Sequence, residues 1–139
     1  MQNEQLLEKC KQMFKNTLME TLDIEIVEIT DEYVLGKMPV TPKVHQPDGV
    51  LHGGATVALA ETIGSMASLL LNNSSECIIR GIEISANHVK SIREGFVFAK
   101  ASAIHKGRTT QLWDIKITDE EDNLISLVKL TTISLPKKS

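Results

Sequence analysis

One carboxylate stands alone in a long apolar stretch of this sequence. Glu61 is the only ionisable side chain between Gly53 and Ser75. An acid in such a setting either makes a polar contact with a neighbouring loop or takes part in chemistry, as a nucleophile or as a general base. Its position alone leaves both roles open.

A glycine pair precedes Glu61 at the predicted start of the same helix. First-turn amides of a helix have no internal partner and carry the positive end of the helix dipole. Because Gly53 and Gly54 lack side chains, an oxygen can come close to these amides, and a developing oxyanion would be stabilised there by ~3 kcal/mol per donor. The simpler alternative is a glycine-assisted turn into a tightly packed helix.

Three polar side chains flank these positions. His52 abuts the glycine pair, Gln46 lies in the loop before it, and Ser65 follows Glu61 by one helical turn on the same face. Each is a candidate to orient a substrate carbonyl or a water molecule. Alternatively, Gln46 and His52 satisfy backbone groups of the loop, and Ser65 bonds back to its own helix.

Other chemistries find no support in the pattern. The remaining histidines have no metal-ligand spacing, and no serine sits in a nucleophile-elbow motif, so we expect neither a metal nor a redox cofactor. Four basic residues occupy two turns that flank one predicted strand: Lys90, Arg93, Lys106 and Arg108. They are candidates for a phosphate-bearing ligand, or ordinary solvated turn charges.

Periodicity predicts the elements that must position these residues. Apolar residues at helical spacing (Leu6, Leu7, Cys10, Met13, Phe14, Leu18) indicate an amphipathic helix over 1–21. Alternating stretches predict a hairpin over 24–40, then a proline-rich loop, the apolar helix over 54–71 and a stop at 72–75. Strands follow over 77–89, 96–103, 111–118 and 124–135, and the tail is 136–139.

This order predicts an α+β fold. We expect a single domain over 1–139, in which an antiparallel sheet curls around one long helix and the last four strands form a meander. Within the long helix, Leu59, Ile63 and Met66 define an apolar face, and small residues beside Glu61, including Gly64 and Ser68, define the opposite one. One side of the sheet would stay open for a partner subunit.

Composition restricts the class of partner. A net charge of -3 gives no reason to expect nucleic acid as the main partner. No secretory signal is visible, and the apolar run carrying Glu61 is predicted to be a buried helix rather than a membrane span. Cys10 and Cys77 form no disulfide framework, which favours a reducing, cytoplasmic compartment.

The motif residues resemble those of a known family. The segments 46–49, 51–54 and 59–65 are similar to those of the hotdog-fold acyl-CoA thioesterases. Within them, the resemblance is to the branch that contains the phenylacetate-pathway (PaaI-like) enzymes, the Arthrobacter-type 4-hydroxybenzoyl-CoA thioesterases and the 1,4-dihydroxy-2-naphthoyl-CoA thioesterases. The similarity covers roughly residues 22–135. It implies a hotdog fold and hydrolysis of an aromatic or broad range of acyl-CoA thioesters to free acid and CoA.

The resemblance also implies a role for each candidate residue. Glu61 would be the nucleophile or general base, the Gly53 amide would polarise the thioester carbonyl, and the catalytic set would be completed by Gln46, His52 and Ser65. The acyl-CoA would be bound by His88, Lys90, Arg93, Lys106, Gly107 and Arg108. The active site would form across a homodimer, and dimers would pair into a homotetramer.

Two other functions remain as alternatives. One is a non-catalytic module that binds or senses acyl-CoA on the same fold. The other is a hotdog dehydratase or hydratase, whose histidine and acid pairing differs from the glutamine, HGG and glutamate set found here.

Overall fold

A six-stranded antiparallel sheet carries one long helix on its inner face in the computed structural model, which describes residues 2–72 and 77–137. The helices are α1 (Gln2–Met13), α2 (Leu18–Thr21) and α3 (Gly53–Leu71). The strands are β1 (Glu25–Ile29), β2 (Tyr33–Pro39), β3 (Cys77–His88), β4 (Phe96–Lys106), β5 (Thr110–Thr118) and β6 (Leu124–Pro136). The predicted hairpin, long helix and later strands are therefore confirmed, but β4 continues three residues beyond its predicted end and includes Lys106, which was expected in a turn.

The sheet curves around α3. The strand order is β1-β2-β4-β5-β6-β3. The helix α3 contacts all of these strands except β1. Five adjacent strands span ~19 Å, whereas a helix is ~10 Å wide, so a flat sheet could not reach α3 from all of them. The side chains of Leu59 and Ile63 on the helix have no exposed surface, and they share one hydrophobic core with the equally buried Trp113 and Leu130 of the sheet.

The last four strands were predicted to form a meander, and this prediction is wrong for β3, which does not pair with β4. β4, β5 and β6 are sequential neighbours, but β3 pairs with β6 at the far edge and β4 pairs with β2. The segment 89–95, which connects β3 to β4, crosses three strand spacings, which is ~14 Å. Extended, it reaches up to ~23 Å. Two backbone hydrogen bonds hold this segment in place. Leu51 N–H donates to Ile92 O at 2.8 Å, and Val40 N–H donates to Gly95 O at 2.8 Å.

The predicted N-terminal helix over 1–21 is also corrected. α1 ends at Met13, Asn16 adopts a left-handed conformation with a φ of 61°, and Thr17 caps α2 by accepting a hydrogen bond from Met19 N–H. The bend changes which residues face the core. Phe14 is buried, whereas Met13 and Leu18, predicted for the same stripe, are 47% and 58% exposed.

The C-terminal ends of β6 and α3 lie close to their predicted positions. β6 extends to Pro136, the first residue of the predicted tail, because Pro136 pairs with Cys77. Asn72 caps the C-terminus of α3. The rest of the predicted stop at 73–75 and the tail residues 138–139 lie outside the described residues.

One helix of the described chain is long and apolar enough to cross a membrane, by length and composition only. This helix is α3, and the core helix of a soluble protein passes the same test. Here α3 packs against the concave face of the sheet, as the sequence predicted for it.

Candidate active site

The first turn of α3 presents one amide without a partner. His52 is the N-cap, and its Nδ1 accepts a hydrogen bond from Gly54 N–H at 2.7 Å. The amides of Ala55 and Thr56 donate to His52 O at 3.0 and 3.2 Å. Within the described residues, Gly53 N–H makes no hydrogen bond, so it is the donor that a substrate oxygen can use. Because Nδ1 accepts, a neutral His52 ring carries its proton on the exposed side at Nε2.

Gln46 leads a tight turn just before this helix. Its backbone closes the turn, since Gln46 N–H donates to Val50 O at 2.8 Å and Gly49 N–H donates to Gln46 O at 2.9 Å. Its side-chain Oε1 accepts from Asp48 N–H at 3.2 Å. The amide Nε2 has no partner in the described chain and is left as a second available donor.

Arg93 and His45 fasten this turn to the segment 89–95. Arg93 Nη1 donates to the carbonyls of Asp48 and Gly49 at 3.3 and 3.4 Å. His45 Nε2 lies 2.9 Å from Arg93 O, a hydrogen bond that requires the proton on Nε2. Arg93, predicted from the resemblance to bind CoA, thus contacts the Gln46 turn in this structure.

His88 stands next to the free amide. It is the last residue of β3, and a Cβ built on Gly53 would lie 2.8 Å from its Nε2, so a side chain at Gly53 would collide with the imidazole. His88 Nδ1 shares a hydrogen bond of 2.7 Å with the buried Ser126 Oγ, which fixes the ring orientation. Gln46, Gly53, His88 and Ser126 line one cleft of about 290 Å³.

Glu61 lies elsewhere on the helix, in a different environment. Its half-buried carboxylate rests against Gly81 of β3 and accepts no hydrogen bond from any described residue. Ser65, one turn further, is half-buried and makes no hydrogen bond to Glu61. Eight residues of helix separate Glu61 from Gly53, a rise of ~12 Å.

The small-residue face predicted beside Glu61 belongs partly to the core. Gly64 packs against Ile115 and Leu130. Ser68 is fully buried and donates to Gln111 Oε1 at 3.1 Å. At these two positions the small-residue face is therefore filled by side chains of the sheet.

The four basic residues form two separate groups in one chain. Lys90 and Arg93 precede β4, whereas Lys106, Gly107 and Arg108 follow or end it. The 11 residues of β4 extend over ~33 Å. A single chain therefore does not bring both groups to one phosphate, and their CoA-binding role stays a prediction.

Two residues of this region escaped the sequence reasoning. Gly81 carries a recognisable signal, since an isolated glycine inside a strand pattern indicates a bulge or a close approach. Ser126 carries no such signal, because one inward-facing serine does not distinguish an alternating strand from other strands that contain a polar residue.

Comparisons with known proteins agree with this fold. The sequence profile of the thioesterase superfamily matches residues 48–126. The 1,4-dihydroxy-2-naphthoyl-CoA hydrolase of Listeria monocytogenes is 46% identical over 121 residues, which cover 87% of this chain and 97% of the relative. The chain belongs to the thioesterase superfamily, has the hotdog fold and is a thioester hydrolase.

Solved structures of two relatives carry substitutions of interest. A glutamine-to-alanine variant of a Pseudomonas aeruginosa thioesterase superposes with a TM-score of 0.91 at 40% identity, over 94% of both chains. Glutamate-to-alanine and glutamine-to-alanine variants of a Staphylococcus aureus thioesterase give 0.83 and 0.82 at 42% identity, over 86% of this chain and 99% and 98% of theirs. The two substituted positions of that chain are as far apart as Gln46 and Glu61.

Proposed function

We propose that this protein hydrolyses acyl-CoA thioesters, with Glu61 as the catalytic carboxylate. The observation that carries the proposal is a half-buried acid without a hydrogen-bond partner in the described chain, on a helix whose first amide, that of Gly53, is also free. The acid and the donor are the two groups that acyl transfer to water requires. The matching glutamine-to-glutamate spacing in the Staphylococcus aureus relative supports the choice of Gln46 and Glu61.

The chemistry follows from the polarity of these groups. Gly53 N–H receives the thioester oxygen and stabilises the negative charge that develops on it, while Gln46 Nε2 and His52 Nε2 place the carbonyl or the water. Glu61 either takes the proton of an attacking water, which Ser65 supports, or attacks the carbonyl itself. If Glu61 acts as the base, water adds to the carbonyl, the carbon–sulfur bond breaks, and the acyl group leaves as a carboxylate. If Glu61 attacks, breakage of the carbon–sulfur bond leaves the acyl group on Glu61 as a mixed anhydride, which water then hydrolyses to the free acid and the regenerated Glu61 carboxylate. On both routes the CoA thiolate takes up a proton.

We propose that the acyl group is aromatic, or that the enzyme accepts a broad range of acyl groups that includes aromatic ones. The support is the Listeria monocytogenes relative, whose name specifies an aromatic acyl-CoA. His88 would line the acyl or pantetheine path from its place beside Gly53. One chain holds the two groups of basic residues far apart. We therefore propose that the nucleotide phosphates are contacted by one group from each of two subunits. One subunit would contribute Lys106, Gly107 and Arg108, and the other Lys90 and Arg93.

A homodimer would complete the site. A carbonyl bound at Gly53 lies ~12 Å along α3 from Glu61 of the same chain, which exceeds the reach of a side chain and one water. β3 is an edge strand with its exposed Ile82 uncovered. A second copy paired antiparallel along β3, with the two-fold axis between Gly81 and His88, would bring each Glu61 towards the other copy's Gly53. The pairing of such dimers into a tetramer and the cytoplasmic location remain predictions from the resemblance.

Thiol release from a panel of aryl and aliphatic acyl-CoA esters tests the proposal. Glu61→Ala should lower kcat by ~1000-fold or more and leave the fold and the oligomeric state intact. Glu32→Ala, which removes an exposed carboxylate from the turn between β1 and β2 at the opposite edge of the sheet, is the matched control and should retain full activity. Undiminished turnover by Glu61→Ala contradicts the proposal. A thermal shift with CoA esters but no thiol release from the wild type would instead favour the non-catalytic binding module.

A further inference from the structure

Gly81 occupies a point of close approach between β3 and the acid. A Cβ built on Gly81 would lie 2.5 Å from Glu61 Oε2, 3.3 Å from Glu61 Cδ and 3.3 Å from Leu130 Cδ1. Separations under 3.0 Å are essentially never seen for real Cβ atoms. Any side chain at this position would therefore displace the carboxylate, because Leu130 is fully buried and has no room to withdraw.

The backbone itself does not require glycine here. β3 has a bulge at this place, since Gly81 pairs with Thr132 while Glu83 pairs with Thr131, which leaves Ile82 as the extra residue. Glycine is needed in a bulge when the φ is positive, as at Gly49 and Gly95, and Gly81 is not among the residues with a positive φ. The reason for glycine is therefore the space that the carboxylate occupies.

We infer that Gly81 is a positioning residue for Glu61, which confines the carboxylate between the β3 backbone and Leu130 at the open edge of the sheet. The inference rests on the proposed catalytic role of Glu61. Because no hydrogen bond from a described residue orients this acid, the shape of the space is what limits its position. The glutamate side chain is long enough to reach the space that is left open because Gly81 has no side chain.

Kinetics of Gly81→Ala provide the first test. Misplacement of a reacting group by about 1 Å can cost ~100-fold in rate, so we expect kcat to fall by ~10-fold to ~100-fold with KM within ~3-fold. Gly36→Ala is the matched control, since a Cβ there would clash with the Ile63 side chain on another side of α3 without touching Glu61. This control should lower the unfolding temperature and leave kcat unchanged. Full kcat in Gly81→Ala would overturn the inference.

A double-variant cycle separates positioning from general damage. Glu61→Asp shortens the acid by one methylene and withdraws it from position 81. In this background Gly81→Ala should change kcat by less than ~2-fold, so the two effects are not additive. A double variant whose loss equals the product of the two single losses contradicts the inference.

Thermal unfolding keeps the test independent of activity. Gly81→Ala should lower the unfolding temperature of the wild type by clearly more than that of Glu61→Ala, in which the carboxylate is absent and only the contact with Leu130 remains. This comparison remains valid if Gly81→Ala fails to fold alone, and equal losses in both backgrounds overturn the inference. Retained hydrolysis by Glu61→Ala would defeat the proposed function instead, whatever the unfolding cycle gives.

Discussion

The two halves of the candidate site are built in opposite ways. The donor half comprises Gln46, His52, Gly53 and the neighbouring His88, and hydrogen bonds within the chain hold the side chains of Gln46, His52 and His88. The acid half is Glu61, which no described residue binds and which the space beside Gly81 confines. The donor half is therefore preorganised by contacts within one chain, whereas the position of the acid is limited by shape alone.

The two edges of the sheet show the same contrast. β1 is short, and α1 covers its side, where Asn3 Nδ2 donates to Ile29 O at 3.2 Å. β3 is 12 residues long, ends the sheet and leaves Ile82 55% exposed. Exposed edges of this length are normally paired or protected. The acid half thus lies at the edge that the proposed dimer would use, and in such a dimer catalysis would depend on assembly.

The sharpest test mixes two variants of low activity. If the halves act across subunits, mixed dimers of Glu61→Ala and Gln46→Ala contain one intact site out of two. Half of randomly re-formed dimers are mixed, so activity should rise above that of either variant alone to about one quarter of the wild type. The measurement is thiol release after subunit exchange, with each variant re-formed alone as the control. No recovery despite proven exchange would place both halves in one chain.

Blocking the open edge should have the next largest effect. Ile82→Lys puts a charge on the exposed β3 edge, and we expect a shift towards monomer in light scattering with a loss of hydrolysis of ~100-fold. Ile104→Lys is the matched control, since Ile104 on β4 is 52% exposed and lies away from this edge. An active monomeric Ile82→Lys variant would break the link between assembly and catalysis.

Gln46 tests whether the donor half serves the transition state. Gln46→Ala removes the free amide and should lower kcat by ~10-fold to ~100-fold with little change in KM. Asp48→Ala alters the same turn at an exposed position and should behave like the wild type. If only KM rises for Gln46→Ala, the amide contributes ground-state binding instead.

The smallest effect is expected at Ser126. Ser126→Ala frees the His88 ring and should lower kcat/KM by ~3-fold to ~10-fold, with a loss of ~1 kcal/mol in the free energy of unfolding. Ser134→Ala removes another buried hydroxyl of β6, which donates to Gln111 Oε1 at 3.3 Å, and should cost stability alone. Equal kinetics for the two variants would mean that Ser126 does not act through His88.

Local signals predicted one part of this molecule well. The helix carrying Glu61, the hairpin before it and the spans of the later strands all followed from periodicity and turn residues, because these patterns reflect burial along one element. The pairing of β3 with β6 did not follow, since nothing within β3 specifies its neighbour. The bend after α1 was missed because Asn16 alone in a charged stretch is a weak stop signal.

The candidate site likewise has features that local sequence patterns predicted and features that they did not. The sequence by itself determined which groups are chemically competent: one acid in an apolar helix, one glycine amide at a helix start, and an amide side chain in the loop before it. Only the tertiary structure decided which amide is free, that Ser126 orients His88, and that Gly81 makes room for Glu61. These are contacts between residues far apart in the chain, and chain connectivity and side-chain packing, rather than local propensity, create them.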